Sequence, residues 1–195
     1  MSNLGPCVSI FGSTRAGEDS SHYDLGMEIA RKVGQSGYGI ITGGGEGLME
    51  AANKGANISG VSSVGLNINL PDEQNVNKFV DGDKLLNFEY FFVRKVMFVR
   101  YAQAIIILPG GFGTMDELFE ILTLIQTKRV KQVPIVLVGK VFWSPLLDWI
   151  KKVVLDKFNY ISEADMKLFS ITDSPNEVVE IIDDFHKEGR FSFNF

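Results

Sequence analysis

The stretch PGGFGTMDE, residues 109–117, closes an apolar run with glycines, a threonine and two carboxylates that lead into a helical pattern. Glycine lets the backbone approach a ligand closely, and the first turn of a helix presents unpaired N–H groups in a positive potential. Gly111, Gly113 and Thr114, with Gly110 in the same turn, therefore have the makings of a cradle for a monophosphate. A blander reading competes. Thr114 and Glu117 have the spacing of a capping box, which accounts for both without a ligand, and for Glu117 taken alone the cap is favoured. In the helix that follows, Leu118, Ile121, Leu122 and Ile125 form an apolar stripe, while Glu117, Glu120 and Thr123 fall on a neighbouring polar line. That line begins beside the cradle and could reach a sugar, or it is a solvated face.

Upstream, NFEYFFVRKVMFVRYAQ sets Arg94, Lys95 and Arg100 among aromatic and aliphatic residues, with Arg94, Phe98 and Tyr101 on one helical face. Lys95 or Arg100 alone reads as a cation reaching to solvent. Arg94, placed before the strand that feeds the glycine turn, could clamp phosphate or ribose oxygens with two donors. Two other glycine turns follow apolar runs, FGSTRAG at 11–17 and TGGGEGLMEAA, with Gly43 and Gly44, at 42–52. None of the three fits a standard nucleotide signature: GSTRAGE puts Glu18 where a phosphate loop needs lysine, and the other two miss the GxGxxG spacing. A dinucleotide oxidoreductase or P-loop nucleotidase is disfavoured.

The elements that must position these residues alternate along the chain. CVSIFGS, YGIITGGG, SVGLNI, AIIILPGG and VPIVLVG read as buried strands, with LFSIT a short final one, and helices are expected over 19–36, 47–57, 91–102, 114–129, 144–158 and 174–188. The pattern predicts an α/β fold, a doubly wound parallel sheet with helices on both faces, as one domain over 1–195. Ligands of such sheets bind beyond the carboxyl ends of the strands, so the three glycine turns are expected to share a pocket. In SPNE, Ser174 caps the last helix, Pro175 suits its first position and Glu177 completes a capping box. The segment 69–83 reads as a long polar loop of the binding kind, with Glu73 a candidate substrate contact. The tail RFSFNF docks on its own domain or on a second subunit.

With 195 residues, 45% of them hydrophobic, the chain can bury a core, and a net charge of −5 supplies no field for nonspecific binding to nucleic acid or an anionic membrane. A small metabolite is the better partner. Cys7 is the sole cysteine and reads as a buried strand residue; with His22 and His186 it makes no zinc cluster. MSNLGPCVSI does not read as a secretory leader, and no apolar run approaches the roughly 18 residues of a membrane span. A soluble, cytoplasmic protein is expected.

The pair of motifs, RK at 94–95 and PGGFGTMDE with its glutamate 23 positions after Arg94, resembles the Lonely Guy (LOG) phosphoribohydrolase family, whose signature is PGGxGTxxE. TGGGEGLMEAANKGA and LPDEQ resemble its bacterial members, and the similarity runs from about residue 7 to residue 185. The resemblance implies a Rossmann-like fold, a homodimer or higher homo-oligomer, and hydrolysis of the N-glycosidic bond of nucleoside 5′-monophosphates, AMP or N6-modified relatives, to free base and ribose 5-phosphate. It implies catalytic roles for Arg94 and Glu117, with Lys95, the 111–116 turn (Asp116 included) and Thr123 lining the nucleotide site. The label lysine decarboxylase carried by many relatives finds no pyridoxal phosphate site here. One departure, GGGEGLM, is a residue shorter than the plant-type GGGxxGLM and bears on base specificity.

Chemically, Glu117 and Arg94 are expected to stay ionised, Glu117 holding the ribose hydroxyls and positioning water, Arg94 binding phosphate, and Asp116 or Glu73 protonating the base if burial raises its pKa. The scheme requires no metal or redox cofactor. The alternative is a sensor or carrier of the same fold that binds a nucleotide without turning it over.

Overall fold

The computed structural model describes residues 4–68, 76–187 and 194. Strands β1 (Cys7–Phe11), β2 (Gly39–Thr42), β3 (Ser63–Ile68), β4 (Leu85–Phe88), β5 (Ala102–Ile107), β6 (Ile135–Val138) and β7 (Ser170–Thr172) form a parallel sheet in the order β4-β3-β2-β1-β5-β6-β7. From β1 the chain winds outward through β2, β3 and β4; from β5 it winds the other way. The reversal falls between β1 and β5, which pair directly from Val8↔Ala104 to Phe11↔Ile107. The crevice beyond the ends of these two strands is where such sheets hold ligands.

Because neighbouring residues of a strand face opposite sides, β1 and β5 feed two cores. Val8, Ile10, Ala104 and Ile106 pack under helices α1 (Ser21–Gln35), α2 (Leu48–Ser59) and α6 (Pro175–His186). Cys7, Phe11, Ile105 and Ile107 pack under α3 (Phe91–Arg100), α4 (Phe112–Gln126) and α5 (Lys140–Trp149). Cys7 is 1% exposed, and burial pushes its thiol up to about 11, as fits a structural cysteine.

Four details depart from the expected pattern. β4 is an extra, half-buried edge strand in LLNF, paired with β3 from Gly65↔Leu85. The fifth helix starts at Lys140 rather than 144, because Asp173 Oδ1 accepts the N–H groups of Gly139 and Lys140 at 2.9 and 2.8 Å. It continues as a π-helix over Ile150–Lys157. At α6, Ser174 Oγ accepts the Glu177 N–H as expected, but Glu177 does not reach back to the Ser174 N–H. Its carboxylate accepts the Thr172 hydroxyl at 2.5 Å, and Thr172 Oγ1 accepts the Ser174 N–H instead.

In the tail, Asn194 docks on its own domain: its Nδ2 donates to the carbonyls of Val99 and Ala102, each at 2.6 Å, and its own carbonyl accepts the Lys131 N–H. The phenylalanines of RFSFNF lie outside the described residues.

Candidate active site

Three glycine turns meet through the backbone of Ser13. Its N–H donates to Pro109 O at 3.0 Å, and its carbonyl accepts the Leu48 N–H at 2.9 Å, so the turn after β1 is bonded to the turns after β5 and β2. The expected common pocket forms above them, a cavity of about 600 Å³. Arg15, Gly43, Arg94, Gly111, Thr114 and Glu117 are among its walls.

The floor on the β5 side is the start of α4. Gly111 is the N-cap residue, extended and with no side chain to cap the helix. The first bond of the helix runs from Met115 N–H to Gly111 O at 3.0 Å. The N–H groups of Phe112, Gly113 and Thr114 precede that bond and have no acceptor within the helix, the arrangement that favours an anion. The capping box expected of Thr114 and Glu117 does not form, because the helix starts two residues before Thr114. Thr114 is instead buried in the first turn, packed over Gly110, where a Cβ would collide with its side chain.

Arg94 projects from the first half of α3. Its Nε donates to Leu66 O at 2.7 Å within β3, and its guanidinium stacks over Phe98 with 5.2 Å to the ring centre. One side of the fork is thus anchored and the other is left for the cavity. Burial pulls the Arg94 pKa down and Glu117 pulls it back up, leaving a guanidinium that stays charged. The absence of a side chain at Gly43 is what admits it, since a Cβ there would overlap Nη2.

Glu117 lies one turn into α4, half-buried, and is not within ion-pair distance of a cation among the described residues. Its pKa is pushed up from 4.5 to about 7: burial is the largest cause and Lys95 opposes it, Glu120 adds to the rise, Arg94 lowers it, and Asp116 raises it again. The expectation that Glu117 stays fully ionised is therefore not met. Desolvation outweighs the two nearby cations, and near neutrality the carboxyl is divided between its two forms.

Lys95 is turned to the other side of α4. Nζ lies 2.6 Å from Asp116 Oδ2 and 3.1 Å from Glu120 Oε2, and the side chain is 15% exposed, so it is not the solvent-reaching cation expected of it in isolation. With Thr123, Lys95 lines a second, shallower hollow of about 320 Å³; Asp116 borders both. Burial lowers the Lys95 pKa, and the hydrogen bonds to Asp116 and Glu120 more than restore it. Asp116 lacks the burial asked of a proton donor, its side chain being 60% exposed and held by Lys95. Gly44 sits behind the wall, its N–H donated to Thr42 Oγ1 at 2.9 Å. Glu73 lies outside the described residues.

Residues not singled out in the sequence complete the cavity: Ser13 and Arg15 of the FGSTRAG turn, Met49 of the TGGGEGLMEAA turn, and Ile68 and Phe91. Phe91 and Phe112, 54% and 92% exposed, stand among its lining residues, and the exposed aromatic pair in EYFFVRK was the available hint for the first of them. On the far side, the loop expected over 69–83 is fastened where it is described. Asn77 Nδ2 donates to Gly45 O at 2.8 Å and to Asn53 Oδ1 at 3.0 Å, within a buried network shared with Thr42 and Ser63.

A doubly wound α/β chain with the open N–H groups of a helix start, an arginine and a raised carboxyl at its switch point defines the class. Within that class, the profile of the family described as "Possible lysine decarboxylase" matches residues 49–182, and the chain belongs to that family. It is similar to the cytokinin riboside 5′-monophosphate phosphoribohydrolase LOG of Oryza sativa subsp. japonica, 25% identical over 93% of this chain and 74% of the rice protein. It is also similar to LOG1 of Arabidopsis thaliana, of the same described activity, 26% identical over 91% of this chain and 83% of that protein. An uncharacterized protein of Archaeoglobus fulgidus is 32% identical over 69% of this chain and 87% of its own length. These relatives meet the resemblance read from the motifs. Among solved structures, the molybdenum cofactor binding protein of Rippkaea orientalis superposes with a TM-score of 0.64 at 19% identity, covering 94% of this chain and 98% of that one. A molybdenum cofactor carrier protein of Chlamydomonas reinhardtii gives 0.65 at 18%, with the same coverage. At such identity the likeness concerns the fold alone. Among the described residues no helix is long and apolar enough to cross a membrane.

Proposed function

We propose that the protein hydrolyses the N-glycosidic bond of nucleoside 5′-monophosphates, AMP or N6-modified adenosine monophosphates, releasing free base and ribose 5-phosphate. The observation that carries this reading is the pairing of Arg94 with a Glu117 carboxyl raised to about 7 in one cavity. A pure phosphate binder has no use for a half-buried carboxyl beside its anion. The family and the phosphoribohydrolase relatives support the same reading.

In the proposed reaction the 5′-phosphate rests on the N–H groups of Phe112, Gly113 and Thr114, with Arg94 fixing the sugar. The bond from C1′ to the base breaks with its electron pair going to the base, and positive charge develops on the sugar. Glu117, when ionised, stabilises that charge and takes a proton from the attacking water, whose oxygen bonds to C1′. A carboxyl titrating near 7 gives the proton up again at neutral pH, so that the departed base ends protonated and the balance closes with one water consumed. Lys95 tunes Glu117 through charge and holds Asp116 and Glu120 in place. The family label suggests pyridoxal chemistry instead, but among the described residues no lysine lines the cavity and the Lys95 ammonium is held by two carboxylates, so none of them is placed there for a Schiff base.

We further assign a second copy of the chain to the exposed apolar residues of α3 and α4, Phe92, Val93, Val96 and Phe119. The second reading, a binding protein that does not turn its ligand over, is favoured by one observation, the fold shared with molybdenum cofactor carriers. The two separate in one assay. Adenine and ribose 5-phosphate are sought after incubation of AMP and of isopentenyladenosine monophosphate with the wild type, Glu117→Ala and Arg94→Ala. Release abolished by both substitutions in folded protein supports the hydrolase, whereas nucleotide bound and recovered intact from the wild type supports the carrier.

A further inference from the structure

Of the charged residues lining the cavity, Arg94 and Glu117 have tasks in the proposed reaction and Asp116 is held by Lys95. Arg15 has none. It is exposed, lines the cavity, and has no ion-pair partner among the described residues. Its turn is well fixed: the Arg15 N–H donates to Ser13 Oγ at 3.1 Å, and Ser13 N–H is bonded to Pro109 O, at the entrance to the α4 cradle. The acidic residue of the same turn is drawn off, since Glu18 Oε1 is 3.3 Å from Lys54 Nζ and accepts the Tyr23 hydroxyl, and Glu18 does not line the cavity. The turn therefore presents a cation and diverts its anion.

A bound 5′-phosphate would bring about two negative charges into a cavity that already holds Asp116 and Glu117. The α4 N–H cradle carries only partial charge, and Arg94, with Nε spent on Leu66 O and set to the sugar, leaves that charge under-compensated. An exposed guanidinium is weakly hydrated and gains from a bidentate phosphate contact, at the cost of ordering one side chain. We propose that Arg15 is a phosphate-binding residue that folds onto the 5′-phosphate of the nucleotide from the β1 side of the cavity. This rests on the reading of the cavity as a nucleoside 5′-monophosphate site.

The test compares the wild type with Arg15→Ala and Arg15→Lys, measuring kcat and KM for AMP and the inhibition constant of ribose 5-phosphate. The expected result for Arg15→Ala is a rise of about tenfold in KM and in the ribose 5-phosphate constant, with kcat within about twofold and partial recovery in Arg15→Lys. Unchanged constants, or a fall in kcat at unchanged KM, overturn the proposal. If the wild type turns nothing over, the hydrolase reading fails separately, and calorimetric titration with ribose 5-phosphate decides: weaker binding by Arg15→Ala upholds the role of Arg15, while equal or absent binding by both proteins removes it.

Discussion

The Arg94 guanidinium occupies the space that a side chain on residue 43 would fill: a Cβ built on Gly43 overlaps Nη2 and also meets the Met49 sulfur at 2.7 Å. Both obstacles are the ends of flexible side chains, so the fold can yield where the site cannot. Gly43→Ala is expected to melt within a few degrees of the wild type while activity on AMP falls by about tenfold or more. Thermal melting and steady-state kinetics on one preparation check this; full activity would show that the placement of Arg94 against residue 43 is not needed.

The raised carboxyl makes a prediction about stability. The folded pKa of Glu117, about 7, lies above its ordinary value of 4.5, so between these limits the folded state holds more protons than the unfolded one. The stability this lends is complete at low pH and is lost as pH rises through 7. Glu117→Gln, which stays neutral, should be more stable than the wild type at pH 8 by about 3 kcal/mol and nearly equal to it at pH 4.5. Urea unfolding at the two pH values reads the difference, and a constant offset would mean that Glu117 titrates normally.

Lys95 lowers the Glu117 pKa without touching the cavity that Glu117 faces. Lys95→Met should move the limb of the pH–rate profile that belongs to Glu117 to higher pH, and kcat at pH 7 should fall while the alkaline plateau is largely kept. A uniform loss at every pH would assign Lys95 a direct contact with the nucleotide.

Asn194 closes two backbone acceptors at the junction of α3 and β5, Val99 O and Ala102 O, and is 4% exposed. Asn194→Ala removes both of these buried bonds, leaving Val99 O with only the Tyr101 N–H, and should cost about 2 kcal/mol, seen as a lower Tm. An unchanged Tm would mean the tail adds nothing to the helix that carries Arg94.

Much of the scaffold is legible in the residues because its signals are local. The runs at β1, β2, β3, β5 and β6 are buried on both faces, as their predominantly apolar, β-branched character states. LLNF of β4 is short, half-buried and at the sheet edge, so burial leaves no pattern in it. The start of α5 depends on Asp173, more than thirty residues away, and no local cap marks it. The site divides in the same way. Arg94, Glu117 and the glycine cradle are recognisable from residue type and spacing. Which side of α4 Lys95 turns to, how far Glu117 is desolvated, and that Arg15 reaches the cavity all depend on walls brought together from distant segments.

In the proposed reaction this cavity breaks a glycosidic bond, and Glu117 is needed for the chemistry more than for binding. A single-turnover experiment, with AMP mixed with excess enzyme and the products separated over time, tests it most directly when paired with calorimetric affinities of the wild type and Glu117→Ala for AMP. The wild type is expected to release adenine and ribose 5-phosphate, and Glu117→Ala to keep an affinity within about fivefold with turnover reduced by about a thousandfold or more. AMP bound by the wild type and recovered intact would contradict it.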